Sequence, residues 1–190
     1  MILKKTFENY LDNKPTLLFD IDGVLLDFPK SFIEFMLDTT DKKDFDYDNY
    51  DFGMDSKELY KHVNDFWASD RFDKIKEIDG AKKGLNELSK YFKIILATAV
   101  NEKYKPARIK NLEGFKYDAL HFIEHGKIEW VKNNLNINAA VDDKKENLIK
   151  LSSFTKTYAP LLKFNTNIPN VTNYNSFSEL VELLKKEFNV

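Results

Sequence analysis

The chain contains no cysteine. That excludes disulfides and thiolate metal sites. It has no basic excess: 29 Lys and Arg stand against 31 Asp and Glu, for a net charge of −2. Nothing in that balance calls for duplex nucleic acid or an anionic membrane as partner. No apolar run approaches the ~20 residues of a membrane-spanning helix. The first residues, MILKKTFENYLDNK, lack the uninterrupted apolar stretch of a signal peptide. A cytoplasmic location is therefore the expectation. There is no internal repeat. What is present is enough apolar material for a core, 43% of 190 residues, and a length that suits one domain, or one domain with a modest insertion.

Short apolar runs alternate with amphipathic stretches. Residues 16–19, 94–97, 119–123, 139–141 and 159–164 each read as a buried strand of three to six residues. Between and after them, residues 80–91, 127–135 and 176–188 carry the 3.6-residue period. The last opens with a Ser-x-x-Glu capping box, Ser176 and Glu179. Strands alternating with helices predict an α/β protein with a Rossmann-like parallel sheet covered on both faces. Residues 28–78 break the alternation. They hold two helical patterns, at 32–37 and 57–67, joined by an acidic and aromatic connection, DTTDKKDFDYDNYDFGMD. This predicts a small helical cap at 28–78, inserted after the first strand, on a core formed by 1–27 and 79–190. Phe45, Tyr47, Tyr50 and Phe52 argue that the acidic stretch is ordered, since disordered segments are poor in aromatics.

In an open parallel sheet, ligands bind beyond the carboxyl ends of the strands. The residues there are Asp20 and Asp22 after the first run, Thr98 after the second, His125 and Lys127 near the third, and Asp142 and Asp143 after the fourth. Carboxylates this close repel one another. A hard divalent cation relieves the repulsion. Magnesium takes one or two carboxylates and leaves room for waters and a substrate phosphate. Lys127 and Thr98 add a charge and a hydroxyl for that phosphate, so the set reads as phosphoryl transfer. His121 and His125, four residues apart, are a weak alternative for zinc.

Asp20-Ile-Asp22-Gly-Val, Thr98 after its strand, Lys127 at a helix start and Ala-Ala-Val-Asp142-Asp143 resemble the four ordered motifs of the haloacid dehalogenase (HAD) superfamily of phosphatases, over roughly residues 15–165. The resemblance implies that Asp20 is the nucleophile and forms an aspartyl-phosphate. Asp22 would be the acid and base. Magnesium would be held by Asp20, the backbone carbonyl of Asp22 and the Asp142/Asp143 pair, with either of the pair as the direct ligand. Thr98 and Lys127 would bind the phosphoryl group. A narrower resemblance is to the 5′(3′)-deoxyribonucleotidases. It rests on Asp-Gly-Val-Leu-x-Asp-Phe, on Phe66-Trp-Ala-Ser69 leading to Ile78-Asp-Gly80-Ala81, and on Val-Asp-Asp-Lys. It implies that Phe66 and Trp67 of the cap stack on a nucleobase. Two positions depart from that family's pattern: Ala99 stands where a serine is usual, and Asp79 where a proline is usual. The expected substrate is a small phosphate monoester, a nucleotide above all; the alternatives are another phosphorylated metabolite, a nucleic-acid phosphate end, or a non-catalytic phosphate-binding module. Oligomeric state stays open, a homodimer included.

Overall fold

The computed structural model describes residues 14–190; the N-terminal reading above falls on 1–13 and lies outside them. Six strands form one wholly parallel sheet: β1 (Thr16–Phe19), β2 (Lys93–Thr98), β3 (Ala119–Phe122), β4 (Ala139–Val141), β5 (Lys156–Pro160) and β6 (Val171–Tyr174), in the order β3-β2-β1-β4-β5-β6. In register, Phe19 lies beside Leu96 on one side and Val141 on the other. The order reverses at β1, whose neighbours are β2 and β4. A crevice opens beyond the strand ends at such a reversal.

The two-residue period of the strands divides the core. Leu17, Phe19, Ile94, Leu96, Ala139 and Val141 face one way. They are covered by α3 (Ala81–Leu88) and α7 (Phe177–Phe188), which pack through Leu85, Leu88, Leu180 and Leu184. Leu18, Ile95, Ala97 and Ala140 face the other way, under Ile128 and Val131 of α5 (Lys127–Asn134) and Leu151 of α6 (Lys145–Leu151). Burial on both faces is why these strands read as unbroken apolar runs.

The cap consists of α1 (Phe28–Thr39) and α2 (Ser56–Ala68), with a return leg through a short 3-10 turn, Phe72–Lys74. Each helix starts on an aspartate. Asp27 accepts from the Lys30 N–H, and Asp55 accepts from the N–H groups of Lys57 and Glu58. Phe28, Phe32, Phe35 and Phe72 gather around Phe66, with ring centroids 5.4–6.1 Å from it. The excursion closes where it began: Asp27 N–H donates to Lys76 C=O and Ile78 N–H to Leu25 C=O, each at 2.9 Å.

Three local expectations are corrected. The fifth strand is not residues 159–164 but Lys156–Pro160. Thr157 and Tyr158 are buried partners of Ala140 and Val141, and Leu162 and Phe164 instead reach the cavity described below. A sixth strand, Val-Thr-Asn-Tyr, extends the sheet at its edge. The capping box is half formed. Ser176 accepts from Glu179 N–H, but the Glu179 carboxylate accepts from Asn175. Among the described residues, no helix is long and apolar enough to cross a membrane.

Candidate active site

The ends of β1 and β4 bring Asp20, Asp142 and Asp143 together; one carboxylate oxygen from each lies within 4.8 Å of the others. Lys127, the first residue of α5, reaches into the triangle. Its Nζ donates to Asp20 Oδ1 at 2.6 Å and to Asp142 Oδ2 at 3.0 Å. Gly126 precedes it at φ +65°, a left-handed turn that glycine adopts without the Cβ penalty, and so aims the helix start at the crevice.

The two adjacent aspartates differ in their partners. Asp142 is fully engaged: besides Lys127, it accepts from Lys144 N–H and from the Asn147 side-chain amide, each at 3.0 Å. The Asp143 carboxylate accepts no hydrogen bond among the described residues, though Asp143 is buried. Its main-chain carbonyl is held by the Asn165 amide at 3.1 Å. Asp143 also packs on Gly23, where a Cβ would lie 2.0 Å from Asp143 Oδ2. Gly23, at φ +78°, thus serves two needs at once: a left-handed turn after β1 and room for the facing carboxylate.

Crowding shows in the acidities. Burial pushes Asp20 up to about 7; Asp142 and Asp22 add to the rise, and Lys127 opposes it. Burial, then Asp20 and Asp142, raise Asp143 well above the usual carboxylate range. Burial alone would lower the Lys127 ammonium, but Asp142 and Asp20 outweigh it and hold its pKa above the ordinary value. Three carboxyls share one ammonium. The shortfall in positive charge, with Asp143 unpartnered, is what a divalent cation would supply. An all-oxygen donor set suits a hard ion such as magnesium.

Asp22 lies apart from the triangle. Its carboxylate is held by Arg108, whose Nη2 sits 2.8 and 2.6 Å from the two oxygens. Thr98 ends β2, but it is buried; its hydroxyl accepts from Val100 N–H at 3.3 Å and does not line the cavity, whereas Ala99 and Val100 do.

Above the carboxylates, between cap and sheet, is a cavity of about 910 Å³. Asp20, Asp22, Lys127 and Asp143 form its floor. Its walls are mostly apolar, among them Phe28, Ile33, Tyr47, Tyr50, Phe52 and Trp67. Trp67 lines this cavity. Phe66 does not: it is wholly buried at the hub of the cap's aromatic cluster and turns away from the cavity. The acidic connection supplies wall aromatics in its place. Tyr50 is edge-on to Phe164 and lies under Lys144, and Asp48 pairs with Lys163 at 2.8 Å, so this connection leans on the loop after β5. Tyr50 is 41% exposed as a whole residue, yet burial and then Asp143 raise its hydroxyl well above the ordinary value. The two fit if the ring edge is wet and the hydroxyl points toward the acids. His121 packs on the Trp130 ring, 4.7 Å between centroids, and the three aspartates are the only metal-competent cluster among the described residues.

Arg108 and Asn147 escaped the sequence reading. Asn147 had no signal beyond its place one turn into a helix. Arg108 had one: it is one of two arginines in a lysine-rich chain. Arginine is favoured over lysine where a buried carboxylate must be held.

No protein-family model and no curated protein matches the chain. Solved structures do match. A haloacid dehalogenase-like hydrolase from Streptococcus pneumoniae superposes with a TM-score of 0.63 at 12% identity, over 90% of this chain and 98% of that one. The chain has the haloacid dehalogenase fold. Two further matches share it. A protein assigned as a β-phosphoglucomutase from Thermotoga maritima gives 0.61 at 17% identity, over 90% and 99% of the two chains. YfnB from Bacillus subtilis, classed as a HAD hydrolase and solved bound to magnesium, gives 0.60 at 14%, over 93% and 99%. Dehalogenases are also among the matching structures.

Proposed function

We propose that this protein is a magnesium-dependent phosphomonoester hydrolase that works through an aspartyl-phosphate, with nucleoside monophosphates as its substrates. The observation that carries the reading is the triangle of Asp20, Asp142 and Asp143 around Lys127, with a second aspartate, Asp22, on the floor of the same cavity. Magnesium would be held by Asp20, Asp143 and the Asp22 carbonyl, with Asp142 fixed by Lys127 and Asn147 beside it. When bound, it neutralises charge on the phosphoryl oxygens.

A carboxylate is a poor nucleophile toward a phosphate dianion, because both are negative. Lys127 lies against Asp20 and lowers that repulsion. Asp20 attacks phosphorus; the bond from phosphorus to the leaving oxygen breaks, and Asp22 delivers its proton to that oxygen. Asp22 then takes a proton from water. The resulting hydroxide attacks the aspartyl-phosphate, releasing orthophosphate and regenerating Asp20. The cap covers the floor and limits access of bulk water during the first step.

The aromatic walls support a nucleotide over a sugar phosphate. A sugar's hydroxyls need polar partners when buried, while a base offers a flat face for Trp67, Tyr47 or Tyr50, worth roughly 1–3 kcal/mol per stacked base. The test is phosphate release from nucleoside monophosphates and from sugar phosphates, with magnesium and with chelator. Release from nucleotides that requires magnesium and vanishes in Asp20→Asn is expected. Activity that persists in chelator or in Asp20→Asn would overturn the mechanism; preference for sugar phosphates would overturn the substrate class.

A further inference from the structure

Arg108 belongs to α4 (Lys105–Asn111), a short helix after β2 on the core side of the crevice. It is completely buried, whereas Lys105 and Lys110 on the same helix are exposed. Only one of its three nitrogens has a partner: Nη2 touches both Asp22 oxygens, while Nε and Nη1 have none. A buried guanidinium left this unsatisfied is expensive, and surface burial alone gives no reason to keep it. Its remaining contact is with the cap. The guanidinium carbon lies 4.9 Å from the centre of the Phe72 ring. Around that contact the same helix grips the cap's return leg twice more. Lys110 pairs with Asp73 at 2.6 Å, and the Asn111 amide donates to Phe72 C=O at 2.8 Å.

From this sandwich we infer that Arg108 is a positioning residue for Asp22, and that the cap sets its position through Phe72. Asp22 must meet the leaving oxygen, and later the water, along a line set by its side-chain torsions. The one nitrogen within reach of both oxygens restrains the carboxyl, and it can hold either oxygen while the other carries the proton for the leaving group. Arg108 does not line the cavity, so it acts on the substrate only through Asp22. The Phe72 ring, with its centre 4.9 Å from the guanidinium carbon, packs against the arginine and restricts where it can sit. The inference rests on the phosphatase reading and adds a residue to it.

The test exploits what an acid is for. An alkoxide leaving group, as in a nucleoside 5′-monophosphate, needs the proton from Asp22; p-nitrophenolate leaves readily without it. Arg108→Met and Arg108→Lys are expected to lower kcat on the nucleotide by about 100-fold, the scale of a misplaced general acid, and on p-nitrophenyl phosphate by less than about 5-fold. In an Asp22→Asn background, Arg108→Met should cost less than about 3-fold more, because residues acting as one unit are not additive. Phe72→Leu keeps the arginine and removes the ring; it should show the same substrate-dependent loss, smaller in size, and it decides the matter if the Arg108 variants do not fold. Equal losses on both substrates, or full additivity with Asp22→Asn, would overturn the role of Arg108 alone. A wild-type protein that hydrolyses neither substrate would remove the phosphatase reading and this inference with it.

Discussion

Asp20→Asn should make the metal-free protein more stable at pH 8 and change little at pH 4. The wild-type Asp20 carboxyl is raised from an ordinary 3.8 to about 7 in the folded state, by burial above all. Between those values the folded protein holds a proton that the unfolded chain has released. Stability therefore falls as pH rises: the contribution is complete below about 4 and gone once pH has passed about 7. A difference of roughly three pH units, at ~1.36 kcal/mol each, comes to about 4 kcal/mol. Asparagine has nearly the same shape and cannot ionise, so the variant escapes this loss. For a chain of this size, about 4 kcal/mol corresponds to roughly 8–16 °C in melting temperature. Asp143 is shifted the same way, in part by Asp20 itself, so its share of the slope is smaller in the variant than in the wild type. The assay is thermal melting of both proteins in chelator at pH 4 and pH 8, then at pH 8 with magnesium. Magnesium should recover the wild type, by about 2.7 kcal/mol when present at 100 times its dissociation constant, and should recover the variant much less. Parallel pH profiles for the two proteins in chelator would refute the idea that ionised Asp20 is held there at a cost.

Two further outcomes test the floor and the walls. Gly23→Ala places a methyl 2.0 Å from Asp143 Oδ2 at φ +78°; the backbone penalty alone is about 1–2 kcal/mol, and the displaced Asp143 should raise the magnesium concentration needed for half-maximal activity. A variant with wild-type melting and magnesium response would argue against the Gly23–Asp143 contact. Trp67→Ala and Phe66→Ala should separate. The first raises KM for nucleotides with a smaller loss of melting temperature, since Trp67 is only partly buried against the core and Tyr104. The second removes the buried hub of the cap and costs about 3–5 kcal/mol, seen as a lowered melting temperature.

The residues of TLLFDIDG, AT, GK and AAVDD lie where strands end, and a strand end is visible in one dimension as an apolar run followed by polar residues. That is why Asp20, Thr98, Lys127, Asp142 and Asp143 could be named from the chain and are found at one edge of the sheet. The edge strand β6 could not be read so, because Val-Thr-Asn-Tyr has one covered flank and only one fully buried side chain. The α4 stretch KPARIKN carries no apolar period, so its helix and its one buried arginine were both silent.

The sequence by itself determined most of the alternation of strands and helices, and which side chains stand at the sheet's carboxyl edge, since these follow from local periodicity and from where apolar runs stop. Only the tertiary structure decided which of two neighbouring residues faces the site. Phe66 and Trp67 are adjacent on α2, and Asp142 and Asp143 are adjacent after β4. In each pair one side chain is spent on structure, inside the aromatic hub or on Lys127 and Asn147, and the other is left for the cavity. That division depends on what packs against each face, through contacts between residues far apart in the chain, as between Asp20 and Lys127, 107 positions apart. No local pattern of residues encodes it.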